Sequence, residues 1–471
     1  MPKLLRVGLL AAPDRLDPAT AQHETQLVLH QVLETPFGVA PGSGELEPAL
    51  LAGPLERVGS GEPAVYRARL RAGAVFSDGS PLTAQQVATT LRQAPTVREQ
   101  AVVTTEDSAL VFTLKRPNGR FDLSLSHVQC SVLRTQAGLP LGTGPFQLAP
   151  DSRPGRLRLV PNPRFPRRPL LDELLFEAHP PEPDGRPLAL LRAFERGEVD
   201  VSMALQRDEA AQLKGVRRAL LPGLSTAVLY LNVERLRDPR ARRALAHAID
   251  RELMAADVYT NALVFTARSL LPRGLAPGLL RDGLGLDPAR ARTLWRELGS
   301  AAPRRLTLLV PWAPRPYLPN PRRAAELLAE QLAPLGVALE AQRPGTAHEF
   351  LERLVGGQQD LVLGGWTADT LDPCDFLEAN LASDRVPTRA NLALAANSAR
   401  LRSPELDRAL ADYRAERSPA RLDAVQRLVD EAAPVVPLFF GSTSLVHALR
   451  VTGLKPSPLA LVDFSRAELL D

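Results

Sequence analysis

Val75-Phe76-Ser77-Asp78-Gly79-Ser80-Pro81-Leu82-Thr83-Ala84-Gln85-Gln86-Val87 holds a turn, a helix start and the first step of an apolar helix face. Asp78-Gly79 marks a turn, because these residues tolerate the backbone angles a reversal needs. Thr83 followed by Gln86 is a capping box: hydroxyl and amide each satisfy a backbone N–H that the first helical turn leaves unpaired. A helix over Ala84–Arg92 is predicted. Upstream, Ala64–Leu70 alternates apolar and polar positions, the period of a half-buried strand, and Gly73 marks the turn after it. Downstream, residues 108–115 read as another strand, closed by Pro117-Asn118-Gly119. The stretch 60–120 therefore reads as antiparallel β structure carrying one helix.

Strands and helices alternate outward from there. Residues 4–10 read as a strand, Asp14 to Pro18 as a turn and Thr20–Leu33 as a helix. Leu157–Val160 and Leu174–Phe176 read as strands. Leu188–Arg196 reads as a helix with Gly197 at its end, followed by the short strand Asp200–Met203. A second region begins near Ala227 with the strand Val228–Asn232. Asp238-Pro239 and Asp287-Pro288 each open a helix, Asp as N-cap and Pro in the first turn. Leu306–Val310, Val337–Ala341 and Val436–Phe440 read as strands, and Pro321–Leu335, Phe350–Leu354 and Leu422–Ala433 as helices. The class is α/β.

At 471 residues the chain is too long for one ordinary core, so two or three domains are expected. No apolar run reaches the roughly 18 residues of a membrane span, so no direct membrane insertion is expected. The net charge is +4, with 57 Lys plus Arg against 53 Asp plus Glu. The arginines are scattered rather than gathered in a stripe, which argues against nucleic acid as a partner. No histidine pair has metal-site spacing, no HExxH or GxSxG occurs, and Gly142-Thr143-Gly144-Pro145-Phe146 lacks phosphate-loop spacing. Catalytic residues, metal and cofactor are each read as none. Cys130 and Cys374 form no CxxC motif and stand either as free thiols or as one disulfide. The segment after Met1-Pro2-Lys3 reads as a first strand rather than a signal peptide. The expected location is periplasmic or cell-envelope if an export signal has been removed, or cytoplasmic.

Gly364-Gly365-Trp366-Thr367-Ala368-Asp369-Thr370-Leu371-Asp372-Pro373-Cys374-Asp375-Phe376 is the candidate site. The buried strand Asp360–Leu363 leads into it. The glycine pair permits close backbone approach, and Trp366 offers a flat apolar wall. Read alone, the segment is either the edge of a small-molecule cleft or a solvated turn.

Taken in order, these segments resemble one family, the oligopeptide-, dipeptide- and nickel-type substrate-binding proteins of bacterial ABC importers (solute-binding protein family 5). The resemblance rests on Leu5–Gly8 with Leu16-Asp17-Pro18, Gly44–Leu50, Val75–Val87, Gly142–Phe146, Asn162-Pro163 with Leu171–Glu173, Phe194–Asp200, Leu231-Asn232 with Asp238–Glu252, and Asp463–Ser465. It implies a two-lobed periplasmic-binding-protein-like α/β fold of type II, with an extra subdomain in lobe one and the ligand cleft between the lobes. Lobe one is expected from 1–40, 143–226 and 446–471, with Leu445–Val451 and Leu459–Phe464 as returning strands. The extra subdomain is expected at 41–142, and lobe two at 227–445. Departures include Thr35-Pro36-Phe37 and Gln86, which stand where the family reads otherwise.

The implied function is capture of a short peptide or similar cationic solute by hinge closure and delivery to ABC transporter permease subunits, by a monomer that is not an enzyme. The alternative is a cytoplasmic ligand sensor reusing the fold. By position in the family's motif, Asp369 meets a ligand ammonium, or else merely caps a turn. Trp366, Thr367, Ala368 and Asp372 accompany it, and Arg315 and Arg343 are the candidates for a ligand carboxylate, the fork-shaped guanidinium suiting that group.

Overall fold

The computed structural model describes every residue except 1, 14, 20, 22, 137, 183–185, 206, 259–264, 277, 316, 393–394 and 471. The predicted turn start at Asp14 and helix start at Thr20 lie outside the described residues. The chain divides into two compact units. The first holds Met1–Leu221, Asp369–Leu371 and Thr443–Asp471, and the second holds Pro222–Ala368 and Asp372–Ser442.

In the first unit, Leu4–Leu9 lies parallel to both Glu173–Ala178 and Val201–Ser202. Arg156–Pro161 and then Phe146–Leu148 add antiparallel on one side, and the C-terminal part of Val435–Ala448 adds beyond Val201–Ser202. The helix His23–Val32 covers this sheet through Leu27, Val28 and Val32, which share a core with Leu5, Val7 and Phe176. Gly142-Thr143-Gly144 passes against the end of that helix: a Cβ on Gly144 would sit 2.6 Å from the Val32 carbonyl carbon. Gly144 N–H donates to Val32 O at 2.9 Å, so the glycine-rich link is a packing device.

A separate four-stranded antiparallel sheet runs in the order Glu56–Arg57, Val65–Arg69, Ala109–Leu114, Ala101–Glu106. The helix Ala84–Gln93 packs on it with Val87, Ala88 and Leu91 inward, against Phe76 and Phe112. The capping box is present: Thr83 Oγ1 accepts from Gln86 N–H, and Gln86 Oε1 accepts from Thr83 N–H.

In the second unit, the later part of Val216–Leu231 lies between the earlier part of Val435–Ala448 and Leu361–Thr367, followed by Arg305–Leu309 and Ala338–Gln342 at the edge. Leu361–Thr367 is antiparallel to Val216–Leu231, and the last strands are parallel to one another. Asp238 and Asp287 cap the helices Pro239–Ala248 and Pro288–Glu297 as predicted. One core joins these helices and the sheet through residues such as Leu245, Ile249, Leu308 and Leu363. Among the described residues, no helix is long and apolar enough to cross a membrane.

Two predicted elements differ. Val436–Phe440 and Leu445 onward form one continuous strand, Val435–Ala448. Leu459–Phe464 is not a strand. Pro456 and Pro458 supply no N–H to a ladder, Ala460 takes a left-handed φ of 57°, and only a single bridge joins Pro456 to Val462. Cys130 and Cys374 are both buried and free.

Candidate functional site

Leu361, Val362 and Leu363 are buried at the start of their strand, and the following residues become progressively more open. Gly365 is required by its neighbours. A Cβ there would lie 2.3 Å from Thr226 O and 2.6 Å from the Tyr317 ring. Tyr317 takes that space and donates its hydroxyl to Gly365 O at 3.3 Å. Burial raises the Tyr317 pKa, with the Arg315 charge opposing, so the phenol stays a proton donor. Trp366 pairs with Thr226 across the strands and is half-buried, and Thr367 pairs with Ser225 and is exposed. Ala368 is buried and donates its N–H to Leu224 O at 2.7 Å.

Arg315 is brought to this segment through Tyr317. Its guanidinium lies 3.9 Å from the centroid of the Trp312 ring, and Trp312 in turn packs on Phe350. Among the described residues Arg315 has no carboxylate within ion-pair distance, so its charge rests on an indole face. Arg343 is exposed just past Ala338–Gln342, the edge strand, two strands away from Leu361–Thr367 in the sheet order.

Asp372 is held apart from solvent. It caps the helix Pro373–Leu381 by accepting from Cys374 N–H at 2.8 Å. Arg417 grips both of its oxygens at 2.8 and 2.9 Å, and Arg414 stands 3.7 Å away. Arg414 also pairs with Asp375 at 2.9 Å and Glu378 at 2.6 Å. Burial works against the Arg414 charge, but Glu378, Asp375 and Asp372 outweigh it and hold the guanidinium protonated well above its usual range. With its side chain fully buried and both oxygens engaged, Asp372 fixes the C-terminal end of the segment.

Between these anchors, Asp369–Leu371 pack with the first unit. The Asp369 side chain is 45% exposed and faces His127 Nε2 at 3.9 Å. His127 Nδ1 accepts from Gln129 N–H at 3.0 Å, so a neutral ring carries its proton on Nε2, toward the carboxylate. At that distance no hydrogen bond forms, and the carboxylate oxygens keep their capacity to accept. No Arg or Lys stands within ion-pair distance of Asp369 among the described residues. Asp369 borders a cavity of about 270 Å³ that His30, Glu34, Asp463 and Arg466 also line. Glu34 is held by both guanidinium nitrogens of Arg71, at 2.6 and 2.7 Å. Burial lowers the His30 pKa, against the pull of Asp463. The cavity thus presents a carboxylate with no Arg or Lys partner among the described residues, beside apolar walls such as Leu33 and Val39. Its volume approaches the roughly 300 Å³ at which small-molecule pockets begin.

The sequence singled out the strand, the glycines, Trp366 and Asp369. It missed His127, Tyr317, Arg414 and Arg417, which lie far along the chain from the segment they support and carry no local pattern that links them to it. Among the described residues, no group of His, Cys, Asp and Glu side chains converges to hold a metal ion.

The profile of the family described as "Bacterial extracellular solute-binding proteins, family 5 Middle" matches residues 46–387. Over 99% of this chain and 95% of its own length, "Di/tripeptide-binding protein 2" of Pseudomonas aeruginosa is 26% identical. The solved structure of HbpA2 from Haemophilus parasuis superposes with a TM-score of 0.81 at 22% identity, covering 99% of each chain. The dipeptide binding protein of Pseudoalteromonas sp. SM9913, solved in complex with Met-Leu, superposes with a TM-score of 0.78 at 20% identity, covering 99% of this chain and 100% of that one. These structural likenesses identify the two-lobed periplasmic-binding-protein fold.

Proposed function

Because the chain belongs to the bacterial extracellular solute-binding proteins of family 5, we propose that it captures a short peptide outside the cytoplasm and delivers it to the permease of an ABC importer. In this reading Asp369 receives the peptide's α-ammonium and Trp366 supplies an apolar wall. The observation that carries it is the Asp369 carboxylate, which opens on a cavity with no Arg or Lys beside it among the described residues and with His127 Nε2 at 3.9 Å. A fixed carboxylate meeting an ammonium away from bulk water makes a charge-assisted hydrogen bond, stronger than a neutral one. Hinge closure takes water from that carboxylate, so a solute lacking the ammonium leaves it unpaired and is rejected. The names of the similar proteins, a di/tripeptide-binding protein and a dipeptide-binding protein with Met-Leu, favour a peptide of a few residues.

Arg315 is the better candidate for the peptide's carboxylate. Its guanidinium is presented on Trp312 beside Tyr317 and Gly365, whereas Arg343 lies beyond the edge strand. Asp372 is assigned to the scaffold, since Arg417 already occupies both of its oxygens. The protein works as a monomer that binds and releases, by hinge closure of its two units, and does not transform its solute.

The test is native mass spectrometry of the protein purified from its host, followed by titration with a library of dipeptides to pentapeptides. A co-purifying peptide, displaced in the Asp369→Ala variant, is the expected result. Failure of every peptide to bind, or equal binding by the variant, overturns the reading.

A further inference from the structure

Arg242, Arg251 and Arg414 are the buried arginines among the described residues, at 6%, 6% and 1% exposure. Two of them are fully engaged. Arg414 faces carboxylates, as described above. Arg242 donates to backbone carbonyls through all of its nitrogens: Nε and Nη2 to Ala432 O, Nη1 to Leu236 O and Arg237 O. Arg251 differs. Its Nε donates to Pro437 O at 2.7 Å, and neither Nη atom has a hydrogen-bond partner among the described residues.

Arg251 lines a cavity of about 40 Å³ in the second unit. One water needs roughly 10–15 Å³ of such space, so the cavity has room for a few waters or one small ion. Its walls bring two further guanidiniums, Arg268 and Arg281, and the hydroxyl-bearing Ser269. Arg268 is only loosely paired, 3.7 Å from both Glu252 and Asp282. Arg281 pairs with Asp423 at 2.8 Å.

Among the described residues no acidic group stands within ion-pair distance of Arg251, although the nearby Asp250 charge favours its protonated form. Asp250 spends its Oδ1 on the N–H groups of Glu252 and Leu253 at the start of the helix Arg251–Val258. Asp430, also on the cavity wall, lies 3.8 Å from Arg281 and has its pKa raised by burial. Burial pushes the Arg251 guanidinium down to about 10, with Arg268 adding to the shift and Asp250 opposing it, which still leaves it charged at neutral pH. A largely buried guanidinium with no ion-pair partner at its Nη atoms is a place where a bound counter-ion lowers the cost of burial.

We propose that this cavity is an anion site, in which the fork of Arg251, assisted by Arg268, holds a small monovalent anion of the carboxylate class. The planar pair of Nη donors matches the two oxygens of a carboxylate. The cavity's water-accessible space suits a guest of about the size of formate. The site shares no residue with the Asp369 segment, so it stands or fails independently of peptide binding.

The test is thermal unfolding of the full chain against sodium formate, at constant ionic strength kept with gluconate, which is too large to enter. Above saturation, each tenfold rise in formate should raise the midpoint of the second unit by about 3–5 °C. Arg251→Gln should abolish this dependence, and Arg268→Gln, a rim change that leaves the buried residue in place, should shift it to higher formate. Asp369→Asn should retain it. Crystals soaked in bromide should show an anomalous peak beside the Arg251 Nη atoms. A wild-type midpoint indifferent to formate, the same rise in Arg251→Gln, or no bromide beside Arg251 would each overturn the proposal.

Discussion

Asp369 and Asp372 stand three positions apart and do opposite work. Asp372 has both oxygens on Arg417 and none to spare, while Asp369 accepts nothing from an Arg or Lys and faces a cavity. Arg414 and Arg417 together hold Asp372, Asp375 and Glu378 in one buried network. Removing one member of a buried ion-pair cluster leaves the others uncompensated, at about 3–5 kcal/mol. Arg414→Ala is therefore expected to lower unfolding stability by about that amount in a denaturant titration. By contrast, Arg196→Ala, which breaks the exposed pair with Glu198, should leave the midpoint unmoved. Gly365→Ala should cost about 1–3 kcal/mol, since its Cβ must push Tyr317 aside and has no room against Thr226 O. Circular dichroism of the folded variant and its denaturation midpoint would measure this. The close approach at the glycine pair was legible in the sequence, but its partners were not: Tyr317 and Thr226 reach Gly365 only through the fold.

At the scale of the element, the helix Ala84–Gln93 shows what local sequence can fix. Thr83 and Gln86 satisfy each other's backbone N–H groups, and the pattern was readable because it spans one helical turn. Thr83→Ala should destabilise by about 1 kcal/mol, within a range of roughly 0.5–2. Hydrogen exchange should show the loss first in the N–H groups of the first turn. The Asp-Pro helix starts at 238 and 287 were legible for the same reason. The long strand Val435–Ala448 was read in pieces, because Gly441 to Ser444 lacks the apolar run that identifies a buried strand. Leu459–Phe464 erred in the opposite direction: its apolar residues fill the first unit's core from a turn rather than a ladder. In each case packing partners distant in sequence decided the backbone, and periodicity records only the near ones.

For the whole molecule, histidine burial gives a pH dependence to the first unit. His30, His179 and His447 belong to it, and burial lowers the pKa of each from the ordinary 6.5. The unfolded chain therefore takes up protons before the folded one does. Their contribution is fully present above about pH 6.5 and is lost progressively as pH falls below it toward the lowered values. Hydrogen exchange followed from pH 7.5 to 5.5 should show the first unit losing protection as the solution is acidified, and an unchanged profile would contradict this.

The colinear motifs made the two-unit α/β fold legible from the chain alone, because they lie along nearly its whole length. The binding groups were less so, since a site assembled from Asp369, His127 and Arg71 with Glu34 has no signature in any one segment. The most direct measurement is isothermal titration calorimetry of a dipeptide and its Nα-acetyl form against wild type and Asp369→Asn. Acetylation and the substitution should each weaken binding on the order of 100-fold, with little further loss when combined. Equal affinity for the free and acetylated dipeptides in the wild type would contradict Asp369 as the ammonium's partner.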